Sequence, residues 1–340
     1  VSPNAEVAHV AVGTGGRFLL ALANGHIEGY CTIPPQPPRP PPTPRLICTF
    51  CARDPNILAV CALVDWVTVT LEDCKTADPV CRLYQPSGPV GDEGGGDLST
   101  FCVRSVPITS GGSGTHGLSA CHGGRSFAVL AAQVVHVFCL VDGCTRGWVP
   151  TLVVEIHSPR IVTSMALHVG ARYTPAYAVL MGPYAVTMLQ IAAPDVSADT
   201  KAWAPAPDIH FPAAGVADPS GLPSPTASPS LPVGVLLPGP GRPLELLGPC
   251  PNVEFALLRP GQPPPQSTLL LLRVFPRREA VRGVHLIPVA GPRSGHPKLV
   301  VTTQHQAYIY TTPDDPHAQG LVRGPSIKFR HDCLASDVNL

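Results

Sequence analysis

Twelve cysteines and thirteen histidines are the residues here with the widest chemical reach. Cys48-Thr49-Phe50-Cys51 has the C-x-x-C spacing used by zinc ribbons and redox dithiols. A structural zinc needs a second ligand pair, and none follows at a suitable distance. The surrounding residues, Leu46–Ala52, read as a β-strand. Positions three apart on a strand face opposite ways, so the two thiols do not converge and packing is the expected role. Cys48, Cys51, Cys61, Cys121 and Cys139 all sit in apolar stretches, where a free thiol behaves as a small hydrophobe. Cys139 and Cys144 would bridge a hairpin only in an oxidising compartment.

The histidines are scattered singly. His122, His136, His157 and His168 lie in or beside strands at no ligand spacing, which fits structural side chains. Gly13–Gly16 lacks the Lys-Ser/Thr and helix of a phosphate loop. Ser113 sits in Gly-Gly-Ser-Gly-Thr, which departs from a nucleophile elbow at its last position. No acidic pair has acid/base spacing. The expectation is therefore no catalytic residue, no cofactor and no metal. The enzymatic alternative is a site assembled from distant loops.

Two binding motifs remain. Arg273, Arg277, Arg278 and Arg282 form the densest basic cluster, with Glu279 among them. Pro34–Pro44 holds Pro-x-x-Pro matches such as Pro35-Gln36-Pro37-Pro38, an exposed polyproline II stretch open to a polyproline-binding partner or simply solvated.

Stepping from these residues to the elements that must carry them, composition sets the class. The chain has 340 residues, 44% hydrophobic and 14% charged, with 23 basic and 23 acidic side chains. That balance provides no broad field for nucleic acid or an acidic membrane. Forty-three prolines and 32 glycines interrupt any long helix. None of the five asparagines lies in a glycosylation sequon, which points to an intracellular, cytoplasmic setting. No apolar run reaches the ~20 residues that span a bilayer. The first residue is Val rather than Met, as expected of a processed chain or a fragment.

Leu299–Pro313 shows the recurring phrase: an apolar β-branched strand, a tight turn at Gln304–Gln306, and a second strand rich in aromatics. Asn24-Gly25 is another hairpin signal. Six units follow along the chain. The first is Val7–Val12, Arg17–Ala23 and His26–Ile33. The second is Leu46–Ala52, Ile57–Leu63, Trp66–Leu71 and Val80–Gln85, with Leu98–Ile108 an extended piece that either starts a unit or edges this one. The third is Gly117–Cys121, Ser126–Ala132, Val134–Val141 and Pro150–Ile156. The fourth is Ile161–Val169, Ala176–Met181 and Ala185–Ile191. The fifth is Val233–Leu237, Leu244–Leu247, Val253–Leu258 and Thr268–Phe275. The sixth is Val284–Ala290, Leu299–Thr303, Ala307–Thr311 and Ser326–Arg330. Loop insertions fall at about 32–46, 86–116 and 192–232, the last rich in Ala, Pro, Ser and Asp.

Strand groups returning roughly every 40–60 residues match blades lengthened by loops. Strands such as Phe127-Ala128-Val129-Leu130 and Val300-Val301 are apolar on both parities, which suits sheets covered on two sides. On that rhythm the chain resembles a divergent, WD40-like β-propeller over Val7–Ile191 and Val233–Arg330. Gly25-His26 and the reversed Asp65-Trp66 do not occupy the places of the family's Gly-His and Trp-Asp. The expected fold is one all-β propeller, residues 1–340, of six to seven antiparallel blades, in a closed or an incomplete ring. A further blade would come from Leu98–Ile108, from the termini closing together, or from outside these residues. Two β-sandwiches split near Ala192–Pro232 are the structural alternative.

The resemblance implies a non-catalytic scaffold that binds other protein subunits of a larger complex, with no nucleic acid. The rims and the loops Thr32–Leu46, Pro86–Thr100 and Ala192–Pro232 would do the binding. The alternative is a peripheral membrane adaptor. Phe275-Pro276-Arg277-Arg278 resembles the paired-arginine motif of phosphoinositide-binding propellers, with Arg277, Arg278 and Arg282 as lipid ligands, although Glu279 stands where that motif has Gly.

Overall fold

A computed structural model describes residues 6–12, 16–32, 44–73, 79–86, 100–107, 116–120, 124–131, 133–142, 148–169, 175–192, 244–252, 254–259, 264–287, 297–311 and 321–331. The Pro34–Pro44 motifs (apart from Pro44), Ser113, His122, Cys144, the Pro86–Thr100 loop (save its end residues) and Ala193–Pro232 lie outside the described residues.

Strands β1 (Val7–Val12), β2 (Arg17–Leu22), β3 (His26–Cys31) and β4 (Arg45–Cys51) form the first sheet in sequence order. The β2–β3 turn follows its sequence. Gly25 adopts φ 84°, which favours a residue without Cβ, and the Asn24 side chain accepts from the His26 amide at 3.1 Å. Strands β5 (Ile57–Ala62), β6 (Thr68–Glu72), β7 (Val80–Pro86) and β8 (Thr100–Pro107) form the second sheet. Strands β9 (His116–Ala120), β10 (Ser126–Ala131), β11 (Val134–Asp142) and β12 (Trp148–His157) build the third. Strands β13 (Ser164–Val169), β14 (Pro175–Met181) and β15 (Ala185–Ile191) begin the fourth.

Next come β16 (Leu244–Pro251), β17 (Ala256–Leu258) and β18 (Ser267–Val274). β18 pairs with β15, and β16 pairs with β18 as the outer edge of the fourth sheet. Between them β17 crosses to the third sheet and pairs with β12. The crossing is held by Asn252, whose side-chain oxygen accepts from the amides of Glu254 and Phe255 while its amide donates to Ser267. Finally β19 (Val281–Ile287), β20 (Lys298–Thr303), β21 (Gln306–Thr311) and β22 (Val322–Lys328) form the fifth sheet.

The described strands fall close to where the pattern places them, the expected strand Val233–Leu237 lies outside the described residues, and sheet membership differs at two places. Leu46–Ala52 opens the expected second unit, yet β4 hydrogen-bonds to β3 and closes the first sheet. That shift leaves the outer place of the second sheet to β8, so Leu98–Ile108 edges a unit rather than starting one. The expected fifth unit does not stand alone: its described strands are divided between the third and fourth sheets.

Each inner sheet buries both faces. Residues from the first and second sheets share one core: Leu19, Ile27 and Phe50 with Ile57, Val60 and Trp66. The other side of the second sheet packs Val69, Leu71 and Leu83 on Phe127, Val129 and Phe138 of the third. The third sheet's opposite face, with Leu130, Val137 and Ile156, meets Met165, Leu180 and Leu189 of the fourth. The fourth sheet then turns Val179, Met188 and Leu271 onto Val284, Leu299 and Tyr308 of the fifth. The first strands β1, β5, β9, β13 and β19 contact one another in that order. Stacking of two-faced antiparallel sheets about their first strands is the β-propeller arrangement. Among the described residues five sheets share four cores, and no shared core joins the fifth sheet to the first.

Candidate functional site

Arg277, Arg278 and Arg282 lie on or just after the connection from β18 to β19, and all three are exposed. None has a hydrogen bond or ion pair among the described contacts. Glu279 differs from them. It accepts from the Tyr308 hydroxyl at 2.7 Å, from the Gln306 amide at 3.0 Å and from the Thr303 hydroxyl at 3.1 Å. Partial burial opposes its charge, but these hydrogen bonds and the nearby Arg273 guanidinium outweigh burial and hold the carboxyl below its usual range. The acid that interrupts the paired-arginine pattern is thus the loop's anchor to the fifth sheet, and the arginines beside it are left facing solvent.

Arg273, expected with this basic cluster, is separated from it. It is buried at 6% exposure. Its guanidinium lies 3.7 Å from the Tyr308 ring centroid and 4.6 Å from that of Phe275. It donates to Glu245 on β16 at 2.8 Å and to the Tyr310 hydroxyl, which in turn donates to Glu245. Burial and the Glu279 carboxylate push the Tyr308 phenol up to about 12. These contacts clamp the fourth sheet to the fifth, while Arg273 Nε stays buried without a hydrogen-bond partner.

The two thiols of the C-x-x-C diverge as strand geometry requires. Cys48 is buried, and desolvation pushes its thiol up to about 11. Cys51 is exposed, with its sulfur 3.4 Å from His26 Nδ1. Cys139 is a free thiol donating to the Leu140 carbonyl at 3.7 Å.

Cross-strand register brings together one cluster that spacing did not reveal. His136 on β11 pairs with Glu155 on β12, and His157 follows on the same face. The Glu155 carboxylate lies 3.3 Å from each imidazole. Desolvation holds the His136 pKa down against the pull of Glu155. No group of three or more His, Cys, Asp or Glu among the described residues is arranged to hold a metal ion. Only the β11–β12 register, which sets Glu155 opposite His136 at the end of the ladder away from the connecting turn, could have announced the cluster.

The largest candidate surface is a sheet face. On the first sheet, register aligns Val10, Leu20 and Glu28, and beside them Val12, Phe18, Tyr30 and Leu46. These side chains face away from the core shared with the second sheet. Val10 is 58% exposed, Val12 56% and Leu46 46%. Phe18 and Tyr30 stack at 5.2 Å, and the Tyr30 hydroxyl donates to Glu28 at 2.6 Å. Glu28 is the one carboxylate among these seven, none of which is a cation, and Tyr30 is buried at 6% exposure. At the other end of the arc, the fifth sheet aligns His285, Val300 and Ile309 on its outer face, with Ile327, 56% exposed, on the neighbouring row.

No family model matches this chain, and no curated protein matches it. Among solved structures it is similar to Chaetomium thermophilum Sqt1 bound to the N-terminus of ribosomal protein L10. That likeness has 9% identity and a TM-score of 0.40, over 89% of this chain and 58% of that one. It is similar to a chain of apo ctPRC2 in an autoinhibited state at 12% identity and a TM-score of 0.45, over 91% and 56%. The third is the β-propeller domain of Myceliophteria thermophila Cps50 (Swd1), at 11% identity and a TM-score of 0.41, over 95% and 75%. The chain spans less than two thirds of the first two. No helix among the described residues is long and apolar enough to cross a membrane.

Proposed function

We propose that this chain is a non-catalytic scaffold, a single propeller-type unit that holds other protein subunits in an intracellular assembly. One observation carries the reading: the first sheet leaves an apolar face uncovered, with Val10 and Val12 on its edge strand β1 more than half exposed. The described faces that meet a neighbouring sheet are sealed, whereas this face and the outer face of the fifth sheet stay open at a cost in exposed apolar area, and such faces mark interaction sites. Sequential stacking of all five sheets through shared cores favours one unit over two β-sandwiches. The test is the mass of the native particle. Light scattering on complex purified from its own cells should exceed the 35.6 kDa of the chain by the mass of a stoichiometric partner. A monodisperse lone chain overturns the reading.

A second reading is supported by the exposed guanidiniums of Arg277, Arg278 and Arg282, free to meet a phosphoinositide headgroup on a membrane. Flotation with phosphoinositide liposomes should then fall at least tenfold in the Arg277→Ala/Arg278→Ala variant. Equal flotation of both proteins removes it.

A further inference from the structure

We infer that the gap between the fifth and first sheets receives a β-sheet from a partner polypeptide, antiparallel and apolar on both faces, which completes the ring in trans. The inference rests on the scaffold reading and specifies its partner.

Each core inside the chain joins two antiparallel sheets through alternate apolar positions. The open face of the first sheet continues that series. Val12, Phe18, Tyr30 and Leu46 run across all four strands in register, as the sealed faces do. A helix would cover such a face along one stripe. A sheet covers the whole of it, at the ~10 Å spacing of stacked sheets. The outer face of the fifth sheet presents Val300, Ile309 and Ile327. A sheet with two apolar sides satisfies both faces in one insertion.

Two other occupants fit less well. A second copy would place its fifth sheet on the first sheet of its neighbour. That contact is heterologous, and each added copy presents the same open face again. The longest stretch of this chain available to fold over the gap, residues 193–243, has 12 prolines in 51 residues. Proline cannot donate to a ladder, and the run read there as a strand, Val233–Leu237, supplies one strand where a sheet is needed. The chemistry of the face also constrains the partner. Glu28 offers its carboxylate within an otherwise uncharged surface, so the inserted sheet presents a hydroxyl, amide or single cation opposite it.

The test uses the full chain in its own cells, with a benzophenone amino acid in place of Val12 and, as a control, of Tyr184. Tyr184 is 39% exposed and lies on the β14–β15 turn. Cross-linked peptides are identified by mass spectrometry. A Val12 cross-link to another polypeptide, within a segment of alternating apolar residues and absent from the Tyr184 control, supports the inference. Linkage to this chain itself, to a helical segment, or no linkage at Val12 overturns it. In parallel, Val10→Asp/Val12→Lys should keep its melting temperature, since both positions are exposed, and lose co-sedimentation with the identified partner at least tenfold. Undiminished co-sedimentation overturns the inference. If the particle is stoichiometric but joined elsewhere, this inference fails while the scaffold reading stands. If the chain is alone, both fail.

Discussion

Removing the Glu72 carboxylate should destabilise the protein far more than removing any exposed charge. Glu72 ends β6 with no solvent exposure, on the side of the second sheet that meets the first. Its carboxylate accepts from Arg82 Nε at 2.7 Å, the Tyr84 hydroxyl at 2.6 Å, the Thr70 hydroxyl at 2.7 Å and the Asp54 amide at 2.9 Å. Tyr84 in turn accepts from the Arg53 amide at 2.8 Å and packs its ring 5.1 Å from Phe50 of the first sheet. Glu72→Ala therefore takes the carboxylate from a buried guanidinium at 8% exposure and from three further donors. Breaking a buried pair from one side costs about 3–5 kcal/mol, because the surviving charge keeps its desolvation penalty. At a few degrees per kcal/mol the melting temperature should fall on the order of 10 °C. Thermal unfolding followed by circular dichroism measures it. Arg160→Ala is the control, since the Arg160–Glu254 pair is 38% and 26% exposed and such pairs are worth about 0–1 kcal/mol. The double variant Glu72→Met/Arg82→Met should lose less than the sum of the two single changes, since it removes both charges together. A Glu72→Ala loss no larger than that of Arg160→Ala, or strict additivity in the double variant, would refute the reasoning.

Gly29→Ala should cost about 1–3 kcal/mol, because an added Cβ would lie 2.5 Å from the Cys48 sulfur and 3.1 Å from the Trp66 ring; urea unfolding reads the shift in midpoint. Thiol labelling at pH 8 should modify Cys51 quickly and leave Cys48 unlabelled in the folded chain, since Cys48 is buried with its thiol pushed up to about 11; equal rates by mass spectrometry would contradict the strand assignment. Glu279 has a folded pKa below its unfolded value, so its contribution is present above the unfolded pKa and is lost as pH falls through the folded one. Melting temperatures of wild type and Glu279→Gln should therefore differ at pH 7 and converge as the pH falls below about 4.

Strand positions were legible because they are local. The Asn24-Gly25 turn, the alternation through Val10 and Val12, and the doubly apolar run Phe127–Leu130 each announce themselves within a few residues. The opposed thiols of Cys48 and Cys51 follow from strand geometry alone. The His136–Glu155–His157 cluster was not legible, because it depends on which residue of β12 lies opposite His136. Glu279 was read as a break in a basic motif, and only its three donors on β20 and β21 show it to be an anchor. The separation of Arg273 from Arg277 and Arg278 likewise depends on where β18 ends and burial stops.

Sequence by itself determined that this chain builds short antiparallel sheets with two apolar faces, since β-branched runs, prolines and glycines act over neighbouring residues. Tertiary structure decided which sheet owns each strand: β4 joins the strands before it, and β16 to β18 are divided between two sheets. Backbone hydrogen bonds are the same for every strand, so the choice among partners falls to packing between residues far apart in the chain. The same long-range packing decided that, among the described residues, four cores join five sheets and leave uncovered the first-sheet face carrying Val10 and Val12 and the fifth-sheet face carrying Ile327.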